Sequence, residues 1–91
     1  MEFNKDIDII VANTFLKRFI GFMFKKNANF GLLFNNCNIL HTFFMRFNID
    51  VIAIDKNNNI LMKYYNIKPF HIIKGPKGTY SMYEFPNGYI K

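Results

Sequence analysis

The basic side chains of this sequence, its two histidines aside, are lysines with two exceptions, Arg18 and Arg46. Arg46 stands in the apolar stretch HTFFMRFNIDVIAID at residues 41–55, four positions before Asp50. A guanidinium in apolar surroundings is costly to desolvate alone, and its planar fork pairs well with a carboxylate. If residues 47–49 bend the chain, Asp50 returns within reach of Arg46. The sequence therefore predicts a structural Arg46–Asp50 pair at the turn between two central strands.

Ligand binding is the functional alternative for the two arginines. Gly21 lies one helical turn after Arg18, and a glycine there permits close approach of a loop or a ligand. If the side chains of Arg18 and Arg46 converge on a cleft, they bind a small anionic molecule, because guanidinium groups suit carboxylate and phosphate. The candidate ligand-binding residues are Arg18, Gly21, His41, Arg46, Asp50 and Glu84.

The carboxylates after Asn29 favour structural roles over catalysis. Asp50 and Asp55 lie at predicted strand ends, where a turn or an arginine partner accounts for them. Acid–base catalysis needs two carboxyl groups that face one space, and the sequence indicates no such pair. Glu84 alternates with Met82 on a strand face that should be partly buried, so we expect it to pair with an arginine or a lysine. The enzyme alternative is a reaction of unknown type at Arg18, Arg46, Asp50 and Glu84.

Metal binding and nucleophilic catalysis are weakly indicated. Cys37 and His41 would lie about 13 Å apart in an extended segment at roughly 3.3 Å per residue, too far to share a metal or form a dyad. A loop at 35–38 would shorten that distance. The sequence contains no CxxC, HExxH or GxxxxGK motif. We therefore predict no metal and no cofactor, and we interpret His41 as a packed strand residue and give His71 even less weight as a ligand.

Length and composition predict one domain over residues 1–91. Apolar residues make up 51% and aromatic residues 19% of the chain, enough for a core without disulfide or metal staples. The single cysteine, Cys37, cannot form an internal disulfide, and the start MEFNKDIDII lacks the pattern of a secretory leader. No apolar run approaches the roughly 20 residues of a spanning helix. The expectation is a cytoplasmic protein without a membrane partner.

The net charge of +6 raises the question of a nucleic-acid partner. The lysines are spread along the chain, never more than two together, which is typical of a solvated surface. Aromatic residues on strands could stack on bases, but in a small β protein most of them fill the core. We therefore do not expect nucleic-acid binding.

The hydrophobic pattern predicts a mainly β fold, a small antiparallel sandwich or barrel with one short N-terminal amphipathic helix. The helix starts at Asn13 or Thr14 and places Phe22 and Met23 on its apolar face. The β-branched run 7–12 fits a strand buried on both faces. Residues 55–59 read as a hairpin loop, because asparagine tolerates left-handed backbone. The other predicted strands are 30–34, 39–46, 50–55, 60–65 and 80–85.

Several separated motifs resemble the domain-of-unknown-function 192 family in order and spacing: RFIGFM at 18–23, HTFFMRFNIDV at 41–51, Asp55, Pro69 and YEFPNG at 83–88. The resemblance implies a small β-rich sandwich and no established activity, substrate or cofactor. Members commonly carry proline at the position of Asn48, so the turn after Arg46 should be less rigid here.

Members also continue past the position of Gly88 through a further turn and strand, whereas this sequence stops at Lys91. If that ending is natural, an exposed sheet edge is open to strand addition or to a homodimer. The sequence as a whole favours a non-catalytic small binding or interaction domain, with a small anionic ligand as the candidate partner. An enzyme remains the alternative.

Overall fold

Seven β-strands form the regular structure in the computed structural model, which describes residues 7–14, 20–26 and 28–90. The strands are β1 (Asp8–Val11), β2 (Phe30–Asn35), β3 (Ile39–His41), β4 (Ile49–Ile54), β5 (Ile60–Ile67), β6 (Ile72–Lys74) and β7 (Ser81–Pro86).

The strands form two sheets, and the mainly β prediction is confirmed. The larger sheet has the order β1-β2-β7-β4-β5, and β3 pairs with β6 in the smaller one. Neither sheet closes into a barrel within the part of the chain that the structure describes. The sheets are not wholly antiparallel, because β1 and β2 run parallel. The connection between these two strands, residues 12–29, is long enough for the crossover that parallel pairing requires.

The central strands β4 and β7 are buried along their whole length. On one face of the large sheet, Val51 and Met82 pack in a cluster with Leu40 of β3 and Ile73 of β6. The opposite face carries a second cluster that includes Ile52, Ile54, Tyr83 and Phe85, with Ile7 and Ile90 packed against it. Because side chains alternate along a strand, each central strand contributes to both clusters. The smaller sheet therefore covers only one face of the larger.

Three strand predictions differ from the structure. β1 was predicted to be buried on both faces, yet it is an edge strand and both Ile10 and Val11 are exposed. The predicted strand 39–46 ends at His41, since Thr42 turns the chain. β6 was not predicted, because three residues are too few to display an alternating pattern.

No helix is found among the described residues, so the predicted N-terminal helix is not supported. Its central residues, 15–19, lie outside the described ranges. The predicted helix end at 21–24 is a turn in which both Gly21 and Phe24 have positive φ, at 51° and 65°. Left-handed backbone interrupts α-helical hydrogen bonding. The predicted burial of Phe22 and Met23 is nevertheless observed.

The predicted hairpin loop at 55–59 is confirmed. Asp55 Oδ1 accepts hydrogen bonds from the backbone N–H groups of Asn57 (2.8 Å) and Asn59 (2.9 Å). Asn58 supplies the left-handed residue, with φ 65°. The hydrogen bond from the Asn59 backbone is the main cause that lowers the pKa of Asp55. The loop is thus held by its own aspartate, as expected for an Asx-type turn.

The predicted pair between Arg46 and Asp50 is not found, and Arg46 is exposed. Asp50 is buried opposite a bulge in β5, where the pairing shifts register between Ile49 and Val51. The bulge frees the N–H of one β5 residue, and the turn after β7 brings two further donors to the same carboxylate. Asp50 therefore accepts hydrogen bonds from Asn66 N (2.7 Å), Asn87 Nδ2 (2.9 Å) and Gly88 N (2.9 Å). Amide groups therefore form the hydrogen bonds to Asp50 that the sequence predicted from the guanidinium of Arg46.

We expect Asp50→Asn to lower the free energy of unfolding by about 2 to 3 kcal/mol, because an amide NH₂ would then face a buried N–H donor. Asp55→Asn is the matched control, since Asp55 has the same kind of contacts in an exposed loop where water can replace them. Urea denaturation of both variants measures the difference. Equal losses in the two variants would contradict the anchoring role of Asp50.

Candidate functional site

A cavity of about 370 Å³ lies beside the end of β2 and the strand β3. Its walls are mainly apolar, and its polar side chains include Glu84, His41 and Cys37. The lining residues are Ile20, Gly21, Phe34, Asn36, Cys37, Asn38, Ile39, Leu40, His41, Met45 and Glu84. A concave, largely apolar space with a few polar groups is the usual form of a small-molecule site.

Glu84 occupies the centre of the large sheet. It lies on β7, opposite Leu32 of β2 and Val51 of β4. The residue is 1% exposed, and its Oε1 atom is buried without a hydrogen-bond partner in the described structure. Glu84 is therefore more deeply buried than the sequence predicted. Its predicted pairing with a basic side chain is not found among the described residues.

Gly21 leaves the space beside this carboxyl group. A Cβ atom on Gly21 would lie 3.2 Å from Glu84 Oε1 and 3.7 Å from the ring of Phe34. Its backbone φ of 51° is also one that other residues rarely adopt. The close neighbour of Gly21 is therefore a side-chain carboxyl group, and the backbone is a turn rather than a helix; the approach of a loop or a ligand stays a prediction.

Burial raises the pKa of Glu84 from 4.5 to about 8. Removal of water disfavours the charged carboxylate, so the loss of hydration on burial raises the pKa. At neutral pH the group is therefore mostly a neutral carboxylic acid. In that form it can donate one hydrogen bond and accept others.

The histidine and the thiol in the cavity wall both have local partners. His41 Nδ1 accepts a hydrogen bond from the backbone N–H of Phe43 (3.1 Å), and the two rings stack at 5.2 Å. The Cys37 thiol donates to the backbone oxygen of Ile39 (3.2 Å). Within residues 7–14, 20–26 and 28–90, no group of three His, Cys, Asp or Glu residues could hold a metal ion.

The structure brings together three of the six residues that the sequence singled out as ligand-binding. Gly21, His41 and Glu84 line one cavity. Asp50 is aligned with Phe85 rather than with Glu84, so its side chain lies on the opposite face of the sheet. Arg46 is exposed and does not line the cavity. Arg18 lies outside the described residues.

Sequence reasoning missed the apolar walls of the cavity. The sequence identifies only apolar core residues at Phe34, Leu40 and Met45. The alternation of side chains along the strands does not predict that a cavity remains between these three residues. Leu40 and Met45 flank the turn at Thr42, which the sequence presented as a continuous strand. The signal that was available is the position of Glu84 on a strand face otherwise expected to be apolar.

Glu84 should make the stability of the protein fall as pH rises. Its folded pKa of about 8 exceeds the unfolded value near 4.5. The neutral acid therefore contributes fully to the free energy of unfolding below pH 4.5, and this contribution is lost progressively as pH rises from 4.5 to 8. The slope in that window should reach about 1.4 kcal/mol per pH unit. Glu84→Gln removes the titrating group, so its stability should lack this dependence. Urea denaturation across the window measures both proteins, and parallel pH profiles would contradict the buried, neutral carboxyl.

Comparison with known proteins identifies relatives of unknown function. The family model DUF192, described as "Uncharacterized ACR, COG1430", matches residues 1–91. The UPF0127 protein TK1120 of Thermococcus kodakarensis is 35% identical over 88 residues, which are 89% of this chain and 55% of the relative. The chain thus spans just over half the length of that curated relative.

Two solved structures share the fold. A protein of unknown function from Novosphingobium aromaticivorans has a TM-score of 0.78 at 16% identity, covering 90% of this chain and 64% of the other. A protein from Sinorhizobium meliloti, described as a candidate transcription regulator, has a TM-score of 0.77 at 18% identity, covering 88% and 68%. Identities this low show similarity of fold alone. The match of the family model over residues 1–91, with the curated relative, establishes that the chain belongs to the uncharacterised DUF192 family.

Proposed function

We propose that the protein is a non-catalytic binding domain, and that the cavity lined by Gly21, His41 and Glu84 takes a small ligand. The observation that carries this proposal is the Glu84 carboxyl, which lines the cavity and has a buried Oε1 atom without a partner among the described residues. A buried polar atom without a hydrogen bond is costly, and folded proteins retain few of them. A ligand that supplies the missing hydrogen bond accounts for its retention.

The chemistry of the cavity favours a mainly apolar ligand with one polar group. Phe34, Leu40 and Met45 would contact the apolar part, while Glu84 would face the polar group. The neutral carboxylic acid can donate to a carbonyl or hydroxyl oxygen, and the ionised form would pair with an ammonium group. The described lining residues include no lysine or arginine. The anionic ligand predicted from the sequence therefore depends on Arg18.

An enzymatic function has less support. Asp50 and Glu84 are the carboxylates assigned to the enzyme alternative, and their side chains lie on opposite faces of the sheet. All three hydrogen bonds that Asp50 accepts fix the local structure. An acid–base pair would need two groups that reach one substrate. Binding without catalysis is therefore the function that the described geometry supports best.

Two further proposals, on self-association and on location, have less structural support. The strands β1 and β5 form the edges of the described large sheet, and β5 has eight residues, so either edge could pair with a second copy of the chain. A cytoplasmic location rests on the sequence, in which a single cysteine cannot form an internal disulfide. No helix of the described structure is long and apolar enough to cross a membrane.

Three probes with four carbon atoms each test the ligand proposal: butylamine, butanol and butyrate. We expect butanol and butylamine to shift the amide NMR signals of Gly21 and His41, with butylamine binding more tightly as pH rises through about 8. Glu84→Gln should abolish that pH dependence and weaken butylamine binding by about tenfold at high pH, because the charge partner is lost. Asp55→Asn, which removes an exposed carboxylate, is the control and should bind as the wild type does.

Two results would contradict this assignment. Absence of shifts around the cavity with all three probes would remove the support for a ligand site. Preferential binding of butyrate, lost in Arg18→Gln, would favour the anionic ligand predicted from the sequence instead.

A further inference from the structure

Four phenylalanines form an exposed aromatic surface outside the cavity. Phe24 is 65%, Phe44 52%, Phe70 62% and Phe43 36% exposed. The rings touch one another, with centroid distances of 5.5 Å for Phe24 and Phe44, 5.4 Å for Phe44 and Phe70, and 6.4 Å for Phe43 and Phe70. Single exposed apolar side chains are common, but a contiguous group of large ones marks an interaction site.

The backbone holds three of these rings outward in a disfavoured conformation. Phe24, Phe44 and Phe70 have φ values of 65°, 60° and 67°. Left-handed backbone is unfavourable for a bulky side chain, because Cβ approaches the carbonyl oxygen. Such residues persist where the surrounding structure fixes them, and they concentrate at functional sites. Three of them in one surface are therefore unlike the scattered asparagines that adopt the same conformation in turns.

Hydrogen bonds fasten the segments that carry the rings. The backbone N–H of Phe24 donates to Phe44 O, and that of Phe70 donates to Thr42 O, both at 3.0 Å. Thr42 is fully buried, donates through Oγ1 to Lys68 O (2.8 Å) and accepts at Oγ1 from His71 N (2.8 Å). The aromatic surface is thus a preorganised feature of three linked turns.

The charged residues in the segments that carry the rings all have one sign. Segments 20–26, 41–47 and 68–74, which carry the surface, contain five lysine and arginine residues and no aspartate or glutamate: Lys25, Lys26, Arg46, Lys68 and Lys74. All five side chains are exposed. A surface that combines apolar rings with positive charge complements a partner that combines apolar and negative groups.

We propose that the aromatic surface docks on an anionic lipid bilayer, with the phenylalanine rings in the interfacial region and the basic residues against the headgroups. Aromatic and apolar side chains beside lysine and arginine are the composition of interfacial membrane contacts. The sequence expectation of no membrane partner came from the lack of a spanning segment, which does not bear on a peripheral contact. The proposal is independent of the ligand cavity.

Other partners fit the surface less well. A second copy docked through the same surface would bring like charges together, which opposes a symmetric dimer. Base stacking needs free ring faces, whereas Phe44 and Phe70 meet edge to face at an interplanar angle of 69°.

Cosedimentation with vesicles tests the proposal. We expect the wild type to bind vesicles of phosphatidylcholine mixed with phosphatidylserine, to bind phosphatidylcholine alone much less, and to dissociate with added salt. Phe44→Asn/Phe70→Asn should weaken binding by about tenfold or more through loss of two rings. Asparagine tolerates left-handed backbone, so the melting temperature of this variant should be unchanged or higher. Lys26→Gln/Lys68→Gln should weaken binding to the anionic vesicles too.

The controls remove comparable groups elsewhere. Ile10→Asn/Met62→Asn removes two exposed apolar side chains from edge strands, and Lys77→Gln removes an exposed charge from a turn; both should bind as the wild type does. The proposal is overturned if the wild type ignores anionic vesicles or if Phe44→Asn/Phe70→Asn binds them equally well. It is also overturned if that variant instead loses binding to a single-stranded oligonucleotide or loses self-association in the ultracentrifuge.

Discussion

The Glu84 carboxyl group, buried at the centre of the sheet with no hydrogen-bond partner for Oε1 among the described residues, is the constraint on which the cavity depends. Glu84 stands on β7 between β2 and β4, where its neighbours on the same face, Leu32, Val51 and Met82, belong to an apolar cluster. Its burial keeps it neutral, and the missing side chain of Gly21 leaves room beside it. Most polar groups in a core are satisfied by the protein itself, so an unsatisfied one marks a position where another molecule can supply the bond.

Two other buried polar residues, Asp50 and Thr42, have hydrogen-bond partners within the described structure. Asp50 accepts hydrogen bonds from three amide groups at a bulge and a turn. The Thr42 hydroxyl group donates one hydrogen bond to the segment 68–71 and accepts another from it. Each of these two residues forms hydrogen bonds with backbone N–H or C=O groups that would otherwise lack partners where the backbone is irregular. Glu84 has no such role, because it lies in the regular part of a strand. This contrast is the reason why we assign Asp50 and Thr42 to the fold and propose a binding role for Glu84.

Strand positions could be predicted where an apolar run of several residues is bounded by turn residues, as in β2, β4, β5 and β7. The sequence was less informative where tertiary contacts decide the outcome. Burial of β1 was predicted from β-branched residues, but its place at the sheet edge is a property of topology. The turn at Thr42 was hidden in the run HTFFMR because its causes, Lys68 and His71, lie far along the chain.

The candidate site was predictable in part for the same reason. Gly21, His41 and Glu84 stand in motifs that attract attention in the sequence, and the fold brings them to one cavity. Pairing Arg46 with Asp50 followed from their spacing alone, whereas the amide donors that satisfy Asp50 come from β5 and from the turn after β7. The most direct test is a ¹³C NMR titration of the Glu84 side-chain carboxyl in the folded protein. A midpoint near pH 8 would agree with a buried neutral acid that faces the cavity, and a midpoint near 4.5 would contradict it.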